Sequence, residues 1–305
     1  MPTEFTTGIG LDIVLWLQEH NNGLFDLLAE ILHTMGKSTF YIIVLTFFYW
    51  SLDKRLGKKL LFALLLGTFF NTVLKELLQE PRPYQVSTEV KMLVDQPGYG
   101  FPSGHVMQVL TVWGTAALYY RERWVTWSVA ILALLIAWSR LYNGVHYPQD
   151  VVGGAIFGLL TLWALGPLWK AAEWYGARTR LQAQVAAVFL VGFLAMIFTY
   201  DNEDGMVIAG MLWGAGFGVI AEAAKVRFVP AEAPRQKALC YVLGLVVVGV
   251  IMTLLGAILP ETDPIWEVPV FAIVGFVAVA GWPFIAQRVG LVGGTEPGHD
   301  AFTVP

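Results

Sequence analysis

Three short blocks of polar residues interrupt an otherwise very apolar chain, and their residue types suit phosphate chemistry. They combine three cations, two histidines and a carboxylate, which are costly groups to keep at the edges of hydrophobic segments. Cations bind phosphate oxygens, and a histidine oriented by a carboxylate can attack phosphorus. The blocks therefore predict a phosphate pocket with a nucleophile and an acid. Their residues are Lys75, Arg82 and Pro83; Pro102, Ser103, Gly104 and His105; and Ser139, Arg140, His146 and Asp150.

The three cations are predicted to hold the phosphoryl group. Arg82 and Arg140 carry planar guanidinium groups that can bind two phosphate oxygens each, and Lys75 adds a point charge. Phosphoryl transfer depends mainly on positioning and electrostatic stabilisation. Any one of these cations alone would more often be a side chain that reaches the membrane interface. Their company with two histidine-containing blocks favours the functional interpretation.

The second block precedes an apolar run and predicts a helix N-terminus. Ser103 suits the N-cap, Gly104 lets the backbone approach a ligand, and free N–H groups at such a terminus bind anions. Ser103 and Gly104 are thus candidate phosphate donors. His105, in the first turn, could protonate a leaving oxygen. A plain helix cap is the alternative, and His105 makes the functional interpretation the better one.

The third block predicts the nucleophile. Pro148 suits the first turn of a helix, and Asp150 lies four residues after His146. A carboxylate bonded to one ring nitrogen fixes the tautomer and leaves the other nitrogen free to attack. His146 would form a phosphohistidine, and His105 would protonate the departing oxygen and then activate water. The alternative is a structural His–Asp pair that caps the helix.

Membrane helices must position these residues. The chain has 305 residues, of which 56% are hydrophobic and only 14% charged, and its mean hydropathy is +0.61. Soluble domains carry about 25% charged residues, so we predict an all-α, polytopic membrane bundle. Segments 8–18 and 23–35 look amphipathic and are expected along the interface, with two short spans as the alternative. A spanning helix needs roughly 17–25 apolar residues, which gives about nine candidates: 37–52, 57–78, 103–120, 125–142, 149–168, 182–200, 205–224, 237–259 and 265–287.

The distribution of lysine and arginine predicts the orientation. Every second loop is basic, and the intervening loops are acidic outside the motif blocks, which by the positive-inside rule puts the N-terminus outside and the C-terminus in the cytoplasm. All three blocks then lie at one membrane depth on the outer face. The N-terminus lacks the positive region of a cleaved signal peptide. The basic loops hold Lys54, Arg55, Lys58 and Lys59; Arg121 and Arg123; Lys170, Arg178 and Arg180; and Lys225, Arg227, Arg235 and Lys237.

Charge and cysteine content argue against several other classes of function. The formal net charge is −4, so no nucleic-acid partner is expected, and the single cysteine, Cys240, excludes a disulfide framework. Outside the motifs only His20, His33 and His299 remain, scattered along the chain. A zinc site needs three or four ligands, so we expect neither a metal nor a cofactor.

The three blocks together resemble the signature of the type 2 phosphatidic acid phosphatase (PAP2) superfamily. The pattern is Lys75-x6-Arg82-Pro83, then Pro102-Ser103-Gly104-His105, then Ser139-Arg140-x5-His146-x3-Asp150, and the resemblance covers roughly 40–170. It implies metal-independent hydrolysis of phosphomonoesters or pyrophosphates through a phosphohistidine. It also implies the roles given above, with Ser139 supporting the phosphate site. Four spans follow this core, a layout similar to the glucose-6-phosphatase branch and, loosely, to sphingoid-phosphate phosphatases.

The resulting prediction is a membrane phosphatase that hydrolyses a lipid phosphate monoester or polyprenyl diphosphate. Its partners would be the phosphorylated lipid and membrane lipids, with the site on the periplasmic or extracellular side of a bacterial inner membrane. The alternatives are a sugar-phosphate phosphatase, a lipid phosphotransferase, an enzyme that oxidises halides with bound vanadate, and a transporter or phosphate-binding receptor. The oligomeric state is open. The predicted divisions are amphipathic helices 1–36, the catalytic core 37–170, further spans 171–292 and a disordered tail 293–305.

Overall fold

The computed structural model describes residues 8–200, 202–259 and 263–294, with Ser38 described by its backbone alone, and almost all of them are helical. Helices satisfy backbone hydrogen bonds internally, which apolar segments in lipid require. The α-helices are α1 Ile9–Glu19, α2 Gly23–Met35, α3 Ser38–Phe47, α4 Lys54–Leu78, α5 Pro83–Val86, α6 Gly104–Gln108, α7 Gly114–Tyr120, α8 Arg123–Tyr142, α9 Pro148–Arg178, α10 Leu181–Phe198, α11 Glu203–Ala221, α12 Pro234–Ile258, α13 Glu267–Phe276 and α14 Trp282–Arg288.

Short irregular turns link several of these helices. A 3₁₀ turn, Pro264–Trp266, precedes α13, and π-helical turns occupy Phe48–Leu52, Val109–Trp113, Glu222–Val226 and Val277–Gly281. The only strands among the described residues are β1 Phe228–Val229 and β2 Gly293–Gly294, which pair antiparallel. The predicted tail therefore begins with two paired residues, and its remainder, 295–305, lies outside the described residues, as do residues 1–7 of the N-terminal prediction.

Seven described helices are long and apolar enough to cross a membrane, fewer than the roughly nine spans predicted. The number rises to eight if Gly23–Met35 and Thr39–Leu52, which meet at an angle of 62°, form one broken span. Segment 104–120 is interrupted by a π-helical turn and is shorter than 18 residues. A spanning helix needs roughly 17–25 residues, so this segment, at 17 residues, is at the lower limit.

The first of two compact units comprises, among the described residues, 8–42 and 62–165, and it holds all three motif blocks. Its core joins side chains from α2, α6, α8 and the π-helical turn 109–113. Helix α2, predicted at the interface, is part of this core through Leu32, because its apolar stripe packs against α8. The central buried residues are Leu32, Val106, Val109, Ala133 and Ile136.

The second unit comprises 43–61 and the described residues from 166 onward. A buried charge lies within it: Glu222, fully shielded from solvent, pairs with Lys54 and lies 3.7 Å from the Lys58 ammonium. Lys54 also donates to the Phe228 carbonyl at 2.8 Å. Unpaired charges in an apolar interior are very unfavourable, so this pairing is what lets the π-helical turn 222–226 bury its carboxylate.

Candidate active site

Arg82 is fully buried between two loops of the first unit. Its Nε and Nη2 donate to the carbonyls of Gly98 and Pro97 at 3.0 and 3.1 Å. Its Nη1 donates to the Val145 carbonyl at 2.8 Å and lies 3.3 Å from His146 Nε2. Main-chain acceptors thus fix a guanidinium directly beside the predicted nucleophile.

His146 and Asp150 form the predicted pair at the start of α9. Nδ1 of His146 lies 3.2 Å from Asp150 Oδ2, and the same oxygen accepts the Tyr147 N–H at 2.9 Å. The carboxylate therefore folds back on the helix start as the third residue of a capping box does. Its bond to Nδ1 places the proton there and leaves the Nε2 lone pair facing Arg82. This is the tautomer that nucleophilic attack through Nε2 requires.

His146 lies in the loop between α8 and α9, and its ring is almost completely buried. Burial lowers the pKa of His146 well below 6.5, because water no longer stabilises the imidazolium form. The positive charges of Arg82 and Arg140 lower this pKa further, followed by Lys75 and His105. The shift favours the neutral form of the ring, which is the form that nucleophilic attack requires.

The second block forms the start of α6, with Ser103 as its N-cap residue. The Ser103 side chain makes no capping bond, and its buried Oγ has no hydrogen-bond partner among the described residues. The Ser103 N–H donates to the Asp150 carbonyl at 2.9 Å, which joins the second and third blocks. A Cβ on Gly104 would lie 2.8 Å from Asn71 Oδ1, so only glycine fits here without a shift. The serine hydroxyl remains available for a ligand.

His105 is buried against the N-terminal part of the chain. Its Nε2 lies 3.2 Å from the carbonyl oxygen of His33, and the two imidazole rings stack with centroids 5.3 Å apart and 9° between their planes. A Cβ on Gly36 would lie 1.9 Å from the His105 ring. Helix α2 and its C-terminal glycine thus form one wall of the His105 position.

Arg140 is also fully buried, and both terminal nitrogens have acceptors. Nη1 lies 2.8 Å from His33 Nδ1, and Nη2 donates to Gln96 Oε1 at 2.9 Å. Nε is buried and has no hydrogen-bond partner among the described residues. A buried donor without a partner is costly, so this N–H suits a ligand oxygen.

The remaining predicted residues are Lys75 and Ser139. Lys75 is in the last turn of α4, and its charge acts on His146. Ser139, fully buried, donates its hydroxyl to the Ile136 carbonyl of its own helix at 2.8 Å, which leaves only its acceptor capacity for a ligand. The structure thus brings the cations, both histidines and Asp150 together in one unit.

Several residues outside the motif blocks hold this arrangement, and the sequence did not single them out. Gln96 and His33 bind Arg140, and Asn71 donates to the Pro102 carbonyl at 3.0 Å. Gln18 of α1 donates to the carbonyls of Lys91 and Tyr142, which ties the loop before the second block to the end of α8. The signal in the sequence was that each of these residues is polar and lies in a segment without a motif.

Within the described ranges, no group of three or more His, Cys, Asp or Glu side chains could hold a metal ion.

Comparison with known proteins identifies the family. The family described as "PAP2 superfamily" matches residues 56–174, and "PAP2 superfamily phosphatase, transmembrane extension" matches 206–295. Phosphatidylglycerophosphatase B of Bacillus subtilis is 30% identical over 162 residues, which cover 48% of this chain and 71% of that protein.

Two further relatives match over segments of similar length. Human sphingosine-1-phosphate phosphatase 2 is 29% identical over 144 residues, which cover 44% of this chain but only 35% of that protein. Undecaprenyl-diphosphatase BcrC of B. subtilis is 25% identical over 144 residues, which cover 46% of this chain and 73% of that protein. The matched family segments include all three motif blocks and continue into the second unit. This chain is therefore a multi-pass membrane protein of the PAP2 superfamily, a family of metal-independent phosphatases.

Proposed function

We propose that this protein hydrolyses a lipid phosphate monoester or a polyprenyl diphosphate through a phosphohistidine on His146. The observation that carries this proposal is the position of the His146 ring, which Asp150 holds at Nδ1 while Nε2 faces the Arg82 guanidinium. A neutral imidazole whose Nε2 carries no proton is a phosphorus nucleophile. The neighbouring guanidinium offers donors to the oxygens that gain charge during the transfer.

The proposed reaction has two steps. In the first, His146 Nε2 forms a bond to phosphorus, the bond to the leaving oxygen breaks, and His105 gives that oxygen a proton. In the second, His105 takes a proton from water, the hydroxide forms a P–O bond, and the N–P bond breaks to restore His146. Arg82, Arg140 and Lys75 neutralise the phosphoryl oxygens throughout, and the Ser103 hydroxyl and Gly104 N–H add hydrogen bonds.

A lipid substrate is favoured over a soluble one by two observations. The described residues include seven or eight candidate spans, so the site is held by helices with exposed apolar faces. The matched relatives are named for sphingosine 1-phosphate, phosphatidylglycerophosphate and undecaprenyl diphosphate. All three are phosphorylated lipids, and their shared feature is a terminal phosphoryl group on a long apolar tail.

Phosphate release by the purified protein in detergent tests the reaction. We expect activity in the presence of EDTA and at least a 10³-fold loss in His146→Ala, because the nucleophile is absent. The substrates are phosphatidate, phosphatidylglycerophosphate, undecaprenyl diphosphate, sphingosine 1-phosphate and glucose 6-phosphate, compared by kcat/KM. EDTA-sensitive activity, or activity that survives His146→Ala, would contradict the mechanism. A best kcat/KM for glucose 6-phosphate, or a phosphorylated acceptor in place of free phosphate, would contradict lipid hydrolysis.

We further propose that the site faces the outside of the membrane, because the basic loops cluster on the opposite side. Cys240 is buried, so a Cys240→Ala background allows single-cysteine labelling. An impermeant maleimide added to intact cells should label Glu89→Cys, which lies in the loop beside the site. It should not label Glu122→Cys between α7 and α8. The reverse pattern would place the site in the cytoplasm.

A further inference from the structure

His33 is buried in the site but belongs to none of the three motif blocks. It lies on α2, before the first residue of the matched family segment, and only 5% of its surface is exposed. A lone buried histidine would ordinarily be a core residue with its hydrogen bonds satisfied. His33 differs because its polar contacts go to two of the predicted site residues, Arg140 and His105.

The first contact fixes the guanidinium of Arg140. A guanidinium has donors only, so His33 Nδ1, 2.8 Å from Arg140 Nη1, must accept and carry no proton. Gln96 accepts from the other terminal nitrogen at 2.9 Å. These two acceptors, one on each terminal nitrogen, set the plane of the guanidinium group. They leave Nε, which has no partner among the described residues, for a ligand oxygen.

The second contact fixes the ring of His105. A main-chain carbonyl can only accept, so the His105 nitrogen 3.2 Å from the His33 oxygen, Nε2, carries a proton. The other nitrogen, Nδ1, is then the one that can take up and release a proton during the reaction. The parallel stack with the His33 ring, together with Gly36 on the same side, restricts rotation of His105.

From these contacts we propose that His33 is a positioning residue of the phosphate site. This proposal rests on the function proposed above. Its side-chain acceptor orients Arg140 toward the phosphoryl oxygens, and its ring and carbonyl set the direction of His105. One residue of α2 thereby aligns both the group that binds phosphate and the group that transfers the proton. The N-terminal helix becomes part of the catalytic unit.

Two isosteric variants separate the acceptor from the rest of the side chain. Asparagine places an oxygen close to the position of Nδ1, whereas leucine has the same shape without an acceptor. The loss of one hydrogen bond to a charged group corresponds to roughly 10- to 100-fold in affinity. We therefore expect His33→Leu to raise the Kd of orthovanadate and the KM of the substrate by that factor. We expect His33→Asn to stay within about threefold of the wild-type Kd, since its oxygen replaces the acceptor.

A third variant, His33→Phe, retains a ring against His105 but has no acceptor. It should raise the Kd of orthovanadate as leucine does and lower kcat less than leucine does. His20→Phe is the control, because His20 is exposed and lies just after α1. Among the described residues, its Nδ1 contacts the Trp16 carbonyl and its ring lies against the Trp16 ring. Calorimetry measures orthovanadate binding without turnover, and thermal unfolding in detergent verifies that each variant is folded.

The outcomes distinguish this proposal from the proposed function. Equal affinity losses in the asparagine and leucine variants, or less than a threefold loss in leucine, would overturn the positioning role. If either the leucine or the phenylalanine variant does not fold, the other variant still tests the role of the acceptor. Wild-type protein that binds orthovanadate but releases no phosphate would overturn only the proposed hydrolysis. Wild-type protein that does not bind orthovanadate would overturn both.

Discussion

Replacing Asp150 by asparagine removes a negative charge beside His146 and preserves the shape of the side chain. One oxygen of Asp150 accepts both the His146 Nδ1 proton and the Tyr147 N–H, at 3.2 and 2.9 Å. An amide oxygen in that place accepts the same two bonds. The ring then keeps its position and tautomer, and Asp150→Asn measures the contribution of the charge.

The size of the effect follows from burial. His146 becomes a cation as Nε2 attacks phosphorus, because Nδ1 keeps its proton, and only 1% of His146 and 2% of Asp150 are exposed. Removing one partner of a buried ion pair costs about 3–5 kcal/mol. Each 1.36 kcal/mol corresponds to a tenfold change in rate, so kcat should fall by about 10²–10⁴-fold. KM should change by less than about threefold, because no phosphate contact is lost.

Phosphate release from the preferred lipid, measured over a range of substrate concentrations, gives kcat and KM for both proteins. Asp12→Asn is the matched control, since Asp12 is an exposed carboxylate on α1. Thermal unfolding verifies that the variant is folded. A loss in kcat below tenfold, or a change confined to KM, would refute the argument that His146 carries positive charge in the transition state.

Three further substitutions test the site and the second unit. The acidic limb of kcat/KM should lie below pH 6.5, and Lys75→Met should move it to higher pH, because a cation that lowers the pKa of His146 is gone. Gly36→Ala should lower kcat by about 10²-fold, because its Cβ would lie 1.9 Å from the His105 ring and displace it. Glu222→Gln should reduce the free energy of unfolding by about 3–5 kcal/mol, since Lys54 would lose its buried partner.

Each of these substitutions has a control or a contrary result. An acidic limb that stays in place in Lys75→Met would mean that Lys75 does not act on the nucleophile. Ionisation of the substrate does not affect this comparison, because it is the same for both proteins. Gly23→Ala adds a Cβ with no atom within 4 Å and should leave kcat unchanged. Glu203→Gln alters an exposed carboxylate, so an equal loss of thermal stability there would contradict the importance of the Glu222 pair.

The chemistry of the site was predictable from local sequence because each motif block acts over a few residues. The four-residue spacing from His146 to Asp150 permits their contact once Pro148 starts a helix, and the structure has that contact. Likewise Pro102 and Ser103 before an apolar run predict the start of α6. Hydropathy predicted the membrane bundle for the same reason, since a spanning helix depends on its own residues.

The number of spans was less predictable, because it depends on bends. Hydropathy does not distinguish a straight helix from one broken at the junction of α2 and α3. It also predicts a span at segment 104–120, which is only 17 residues long. Among the described residues, seven or eight candidate spans result. The bend after α2 accompanies the packing of α2 against α8 in the core, which a hydropathy window does not register.

The sequence by itself determined the residue types of the proposed phosphate site, the motifs that hold them and the apolar character of the helices. Only the tertiary structure decided how the cations are held. Arg82 is fixed by carbonyls of a loop 15 and 16 residues away in sequence, and Arg140 by His33 at a separation of 107 residues. The contact of Arg140 with His33 depends on the packing of α2 against α8, which no local pattern specifies. The sequence therefore left His33 as one of several scattered histidines, and the fold placed it in contact with both Arg140 and His105.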